Sequence, residues 1–260
     1  MKISLSRVYA LSVIRDSGMD VYNEPKIFYI TPSQLQGKYY LEKVVYPNMQ
    51  HNYYWSGHWD EEFYIELAYA GFLSITIEDN ESNLLLLPEI QFAYSMLDFK
   101  DLHISKKVEK LIKKGDFTFT INQRLDEVID NIIEYHETNW LYGEYATIIK
   151  NLFKRKKNKY GFRIISVEIT ASNGELVAGE VGYIIGRTYT SLTGFSSFAK
   201  KYNNFGTLQL VLLAKLLEHN NFAFWNLGHP YMEYKNRLGA KIFTREQFLQ
   251  RWKVARDEKL

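Results

Sequence analysis

Residues 162–185 read FRIISVEITASNGELVAGEVGYII and contain two runs rich in β-branched residues. The runs at 162–170 and 176–185 have the composition of β-strands. The tripeptide Ser172-Asn173-Gly174 between them favours a tight turn, so the segment predicts a β-hairpin. Residues 188–193 have the same character and predict a third strand.

Helix and strand patterns alternate on the amino-terminal side of this hairpin. Apolar residues recur at helical spacing over residues 125–133 and 141–152, which predicts two amphipathic helices. Residues 117–121 have the composition of a strand. An earlier helix is predicted between Ser105, as its N-cap, and Gly115, as its left-handed stop.

The alternation continues on the carboxyl-terminal side. Residues 205–219 predict a leucine-rich helix, residues 222–227 a short strand and residues 232–238 another helix. Thr244 opens the last helix, and Gln247 three residues later completes a capping-box pattern. This order of elements predicts an α+β fold with a mixed sheet flanked by helices.

The first hundred residues differ in character from the rest. They are rich in tyrosine, and prolines interrupt short alternating stretches such as residues 26–30 and 72–77. We predict a smaller amino-terminal α+β domain over residues 1–98 and a second domain over residues 99–260.

Composition excludes several classes of chemistry. The 260 residues include no cysteine, which rules out disulfides, thiolate metal sites and a cysteine nucleophile. The six histidines show no close ligand spacing, so we expect neither a metal nor a cofactor. No stretch reaches the roughly 20 apolar residues of a membrane-spanning helix, and no secretory signal pattern is present. We therefore expect a cytoplasmic protein that does not associate with membranes.

The charges are segregated along the chain, although the net charge is only +2. Residues 1–100 hold 7 basic and 13 acidic side chains, whereas residues 101–260 hold 25 and 17. The helix predicted after Ser105 carries five lysines and one glutamate. Residues 150–163 contain seven basic side chains and no acid. Such clusters are compatible with phosphate binding and equally with ordinary solvated surfaces.

A set of short segments, in order along the chain, resembles the leucyl/phenylalanyl-tRNA-protein transferase family. Each segment is weak by itself, but their order and spacing make the set specific. The segments are Tyr54-Trp55-Ser56, Leu102-His103-Ile104-Ser105, Asn139-Trp140-Leu141, Ser166-Val167-Glu168, Leu176-Val177-Ala178-Gly179 and Leu238-Gly239-Ala240 with Arg245 and Phe248 behind it.

The resemblance implies a fold and an activity. Residues 99–260 would form a GNAT-like acyltransferase domain. The protein would move an amino acid from aminoacyl-tRNA to the amino-terminal α-amine of an acceptor protein, which tags the acceptor as an N-degron. Aminoacyl-tRNA is then the co-substrate, and no further cofactor is needed.

The resemblance also implies functional residues. Trp55 and Trp140 would stack on the terminal adenosine, although from the residues alone both are ordinary core tryptophans. The residues expected to line the adenosine and aminoacyl site are Trp55, Trp140, Glu168, Glu180, Thr193, Gly194, Phe195 and Ser196. The basic residues expected to bind tRNA phosphates are Lys106, Lys107, Lys110, Lys154, Arg155, Lys156 and Lys157.

The sequence departs from the family at positions expected to carry chemistry. Leu192 stands where the family has a glutamate, and Gly194 where it has a methionine. Asn226 or Leu227 falls on the family's aspartate. An active site would then rely on His229 to move the proton and on Asn226 to donate a hydrogen bond. For His229, a capping or turn role is equally supported.

These changes leave the transferred amino acid and the activity open. A glycine at position 194 and an acid at position 180 could suit a basic amino acid such as arginine, but we prefer a solvated sheet face for Glu180. A non-catalytic homologue that binds tRNA or protein amino termini is an alternative. An acyl-CoA-dependent N-acetyltransferase is a weaker one, because residues 200–207 contain only Gly206 where a glycine-spaced pyrophosphate loop is expected.

Overall fold

The computed structural model describes residues 27–79, 81–137 and 139–260, and the chain divides into two units. The first unit comprises residues 1–92 and 138–151, and the second comprises residues 93–137 and 152–260. The α-helices in the described ranges are α1 Pro32–Gln36, α2 Lys38–Tyr40, α3 Glu61–Tyr69, α4 Lys106–Lys114, α5 Leu125–Tyr135, α6 Gly143–Lys154, α7 Phe205–His219, α8 Glu233–Leu238 and α9 Arg245–Ala255. The strands are β1 Phe28–Tyr29, β2 Tyr54–Trp55, β3 Leu73–Glu78, β4 Leu84–Glu89, β5 Ala93–Leu97, β6 Phe117–Ile121, β7 Arg163–Ala171, β8 Leu176–Ile185, β9 Thr188–Ser196, β10 Phe224–Gly228 and β11 Lys241–Thr244.

The first unit combines two small sheets with helices. Strands β1 and β2 pair in parallel, and β3 and β4 form an antiparallel hairpin. The buried Tyr145 hydroxyl donates to the Ser74 carbonyl oxygen at 2.9 Å and lies 3.0 Å from the Tyr64 hydroxyl. Tertiary hydrogen bonds thus hold α3, α6 and β3 together. Lys26, at the start of the stretch predicted at 26–30, lies outside the described residues.

The second unit is built on a seven-stranded sheet in the order β11-β5-β10-β9-β8-β7-β6. The hairpin predicted at residues 162–185 is confirmed, since β7 and β8 pair in antiparallel register. Strands β9 and β10 are parallel, whereas the other pairs are antiparallel. The predicted mixed sheet is therefore correct, and β5 and β11 are strands that the sequence patterns did not indicate.

The helix ends follow the capping residues in the sequence. The Ser105 hydroxyl accepts from the Val108 amide at 3.4 Å, and Gly115 ends α4 in the left-handed region at φ 71°. Thr244 and Gln247 form the predicted capping box of α9. Within the part of the chain that the structure describes, no helix has both the length and the apolar character needed to cross a membrane.

Helices α5 and α7 cover opposite faces of the large sheet. A Cβ added at Gly179 would lie 3.2 Å from the Val128 side chain of α5. The next residue, Glu180, receives a hydrogen bond from Gln209 of α7. Successive residues of a strand point to opposite faces, so the two helices lie on opposite sides. The α7 face carries an extensive apolar core, including Val167, Leu208 and Trp225.

Candidate functional site

The candidate site lies where the two parallel strands of the large sheet stop pairing. Strands β9 and β10 pair over only three residues, ending at Asn226 opposite Thr190. Strand β9 runs on to Ser196 and β10 to Gly228, with no further pairing between them in the described residues. Beyond that point Leu227 and Gly228 of β10 are buried, and the Leu227 carbonyl oxygen accepts from Lys235. Ligands commonly bind at such carboxyl ends of parallel strands.

The end of β10 carries the two residues expected to act in catalysis. Asn226 is buried, and its Nδ2 lies 3.4 Å from the Thr190 hydroxyl, while its Oδ1 accepts from the Gly228 amide at 3.0 Å. Gly228 has φ +71°, a conformation that favours glycine, and a bulge interrupts the pairing with β5 here. The half-buried His229 follows, its ring edge-on to Tyr231 at 5.1 Å. Asn226 and His229 thus lie on either side of the Gly228 bulge, and their roles in catalysis stay predictions.

A lysine that the sequence patterns did not indicate donates two hydrogen bonds to this turn. Lys235 is only 4% exposed, and its Nζ donates to the carbonyl oxygens of Leu227 at 2.6 Å and His229 at 2.7 Å. Burial lowers the pKa of Lys235 to about 8, and the charge of Glu180 opposes that shift. Nothing in the spacing of the short α8 distinguishes this lysine from a surface residue.

The expectation that Glu180 lies on a solvated sheet face is wrong. Glu180 is 4% exposed, because α7 covers this face of the sheet. Its carboxylate accepts hydrogen bonds from Tyr189 at 2.7 Å, Ser191 at 3.0 Å and Gln209 at 3.0 Å. Burial raises the pKa of Glu180, while these hydrogen bonds and the Lys235 charge act in the opposite direction. The second unit therefore contains a buried acid and a buried base that influence each other.

The residue opposite Glu180 on the neighbouring strand is Gly194. A Cβ at position 194 would lie 2.7 Å from the Gly179 carbonyl oxygen and 2.9 Å from the Glu180 Cβ. The space on this side of Gly194 is thus filled by β8, and the glycine does not enlarge a pocket there. The His136 Nε2 lies 3.0 Å from the Gly194 carbonyl oxygen and 3.4 Å from the Thr193 hydroxyl. His136 is a second site residue that sequence spacing did not indicate.

The remaining β9 residues pack against the covering elements. Phe195 is buried, and a Cβ at Gly179 would come within 3.0 Å of its ring. Ser196 lies beside the first turn of α7, where a Cβ at Gly206 would be 3.0 Å from the Ser196 Cβ. Both residues therefore lie next to the site and have neighbours within the second unit.

Glu168 is fully buried on the face that α5 covers. Its carboxylate accepts from the hydroxyls of Thr120 at 2.7 Å and Ser166 at 2.6 Å. It also accepts from the backbone amides of Gln123 at 3.3 Å and Arg124 at 3.2 Å, just before α5 begins. A carboxylate at the start of a helix stabilises its free amides. These bonds give Glu168 a structural explanation, and its predicted binding role stays a prediction.

Both candidate stacking tryptophans belong to the first unit and are half-buried. The Trp55 ring lies 4.5 Å from Tyr29 at an interplanar angle of 50°. The Trp140 ring lies edge-on to Tyr145, with centroids 5.0 Å apart. Each therefore contacts an aromatic ring of the first unit and retains an accessible portion.

The predicted phosphate-binding residues are all exposed. Three lie on the outer face of α4 and four at the end of α6 and in the loop behind it, and they are Lys106, Lys107, Lys110, Lys154, Arg155, Lys156 and Lys157. The opposite face of α4 packs through the buried Val108. The outer face is thus strongly basic and open to solvent.

The chain is similar in sequence to one family of known proteins. Residues 96–253 match the family model described as leucyl/phenylalanyl-tRNA protein transferase. A leucyl/phenylalanyl-tRNA-protein transferase from Maridesulfovibrio salexigens is 27% identical over 158 residues, or 59% of this chain and 61% of that protein. One from Flavobacterium johnsoniae is 26% identical over 189 residues, or 71% of this chain and 82% of that protein. The chain thus spans about three-fifths of the length of the first of these relatives.

Similarity to solved structures is weaker. The structure of L-PGS from Bacillus licheniformis is 11% identical, covers 65% of each chain and gives a TM-score of 0.40. A similarity of this size supports no conclusion about fold or function.

Proposed function

The chain belongs to the leucyl/phenylalanyl-tRNA-protein transferase family, and from this premise we propose that it transfers an amino acid from charged tRNA to the amino-terminal α-amine of an acceptor protein. The observation that supports this most strongly is the end of the β9–β10 pairing, where Asn226 lies and where His229 follows after the Gly228 bulge. The product would be an acceptor tagged as an N-degron, in the cytoplasm.

The reaction makes modest chemical demands on the protein. The aminoacyl ester is already activated, so no covalent enzyme intermediate is needed. The site has to orient the attacking amine, accept its proton and stabilise the developing oxyanion. In this proposal the amine forms the new C–N bond, the ester C–O bond breaks, and the tRNA leaves as its terminal ribose hydroxyl. His229 takes the proton from the amine and returns it to the leaving oxygen, since the pKa of an unperturbed histidine is near 6.5, and Asn226 supplies a hydrogen bond.

We also propose a GNAT-like fold for the catalytic domain. Its support is the mixed sheet covered on both faces, with one parallel pair that stops pairing before either strand ends. The division into domains 1–98 and 99–260 stays a prediction alongside it. Adenosine stacking by Trp55 and Trp140 is part of the same proposal, and a base stacked on an aromatic ring contributes about 1 to 3 kcal/mol.

For the transferred amino acid, we propose the leucine and phenylalanine type. Glu180 offers little to an arginine side chain, because its carboxylate is buried and already accepts three hydrogen bonds. Arginine is the alternative. An assay that compares tRNAs carrying leucine, phenylalanine or arginine distinguishes the two. A protein that binds charged tRNA without transfer is the other alternative.

The basic face of α4 provides a test of tRNA binding. Replacing Lys106, Lys107 and Lys110 together by glutamine should weaken binding of charged tRNA at low salt. If each lysine neutralises one phosphate, the slope of log K against log salt should fall by about 2 to 3. Filter binding at several salt concentrations measures both quantities.

The matched control replaces three exposed lysines outside α4, namely Lys38, Lys43 and Lys215. We expect that variant to bind tRNA with nearly unchanged affinity and slope. An equal loss in both triple variants would show that α4 has no special role in tRNA binding.

A further inference from the structure

Lys235 stands out because it is a buried lysine whose ammonium donates to two backbone carbonyl oxygens. The two carbonyls, of Leu227 and His229, flank Gly228 at the bulged end of β10. A buried ammonium is costly unless it is hydrogen-bonded and compensated by an opposite charge. Both conditions are met here, since Glu180 interacts electrostatically with Lys235.

We propose that Lys235 is a positioning residue: its ammonium ties together the carbonyl oxygens of Leu227 and His229 and so fixes the turn that presents Asn226 and His229. The inference rests on the proposed function for its effect on transfer. The structural part of the inference, that Lys235 holds this turn, does not depend on activity. It rests on the two hydrogen bonds from one Nζ to carbonyl oxygens that lie two residues apart. An apolar side chain of similar length would fill the space and leave both carbonyls without this donor.

The same geometry implies that the rate of transfer depends on pH. Burial places the pKa of Lys235 near 8, well below the 10.5 of an unburied lysine. In the described part of the chain, the titratable residues beside it are Glu180 of β8, Tyr234 of its own helix, whose ring centroid is 5.8 Å from Nζ, and His229, whose carbonyl oxygen accepts from Nζ. Above about pH 8 the neutral amine is a weaker donor, so the turn loosens and transfer should decline.

The contribution of Lys235 to the free energy of unfolding should change with pH in the opposite direction to the rate of transfer. Between about pH 8 and 10.5 the unfolded chain holds the Lys235 proton and the folded chain does not. The contribution of Lys235 to stability therefore increases with pH in this window. If transfer declines above pH 8 while the melting temperature does not, the lost activity comes from loosening of the turn at Gly228 and not from unfolding of the whole protein.

The experiment compares the full chain with Lys235→Met and Lys235→Arg in single-turnover transfer at saturating charged tRNA, from pH 6.5 to 9.5. Losing two hydrogen bonds from a charged donor should lower the rate of Lys235→Met by about ten- to a hundredfold. Its affinity for charged tRNA should stay within about twofold of wild type. Lys235→Arg keeps a charged donor at every pH, so it should retain most of the rate and lose the decline near pH 8.

A readout that needs no activity separates this inference from the proposed function. The Gly228 amide donates to the Asn226 Oδ1 at 3.0 Å, and its hydrogen exchange should be about tenfold faster in Lys235→Met than in wild type or Lys235→Arg. If the wild type transfers nothing, the proposed function fails and exchange alone decides the role of Lys235. Wild-type exchange in Lys235→Met, or a decline near pH 8 that persists in Lys235→Arg, would overturn the inference.

Discussion

Replacing Glu180 by leucine is expected to lower the free energy of unfolding by about 3 to 5 kcal/mol. The substitution removes a buried carboxylate whose charge acts on the pKa of Lys235. It also deprives Tyr189, Ser191 and Gln209 of their shared acceptor in a region closed to water. Urea unfolding at neutral pH, followed by circular dichroism, measures the loss.

The matched control is Glu218→Leu, since Glu218 is an exposed glutamate in α7. Surface substitutions of this kind usually change stability by less than about 0.5 kcal/mol. If Glu180→Leu stays within about 1 kcal/mol of wild type, then the carboxylate is not part of a buried network. The expected loss of stability depends only on the burial and hydrogen bonds of Glu180, so the test does not require the protein to be an active transferase.

Replacing His229 by alanine is expected to lower the single-turnover rate of transfer by about 10²- to 10⁴-fold, the usual contribution of a positioned acid or base. The affinity for charged tRNA should change by no more than about twofold, because the proposed role of the imidazole is confined to proton transfer. Rapid-quench measurement of labelled amino acid in an acceptor peptide gives the rate, and filter binding gives the affinity.

His219→Ala serves as the control, because His219 is exposed in the last turn of α7. We expect wild-type transfer from that variant. An unchanged rate in His229→Ala would remove His229 from the mechanism and leave it the turn role that the sequence equally supported.

The elements of the second unit were largely predictable because their signals are local. Side-chain periodicity and capping residues lie within the segment they specify, as in α4 between Ser105 and Gly115 and in the capping box of α9. Strands β5 and β11 were missed because each depends on partners distant in sequence. Strand β5 pairs with both β10 and β11.

The environment of the candidate site was harder to predict for the same reason. Glu180 has the pattern of a half-solvated strand, and only the position of α7 shows that it is buried. Lys235 and His136 contact backbone carbonyl oxygens. Every residue has such an acceptor, so the sequence does not indicate which one a side chain will contact. Asn226 and His229 were proposed because the family resemblance places their segment on the family's aspartate-x-glutamine, and their roles stay predictions.

The most direct measurement is transfer of labelled amino acid from tRNA charged with leucine, phenylalanine or arginine to peptides that differ in their first residue. We predict label in the peptide from leucyl- or phenylalanyl-tRNA, lost when the peptide α-amine is acetylated. Tight binding of charged tRNA with no label transferred from any of the three would contradict the proposed activity.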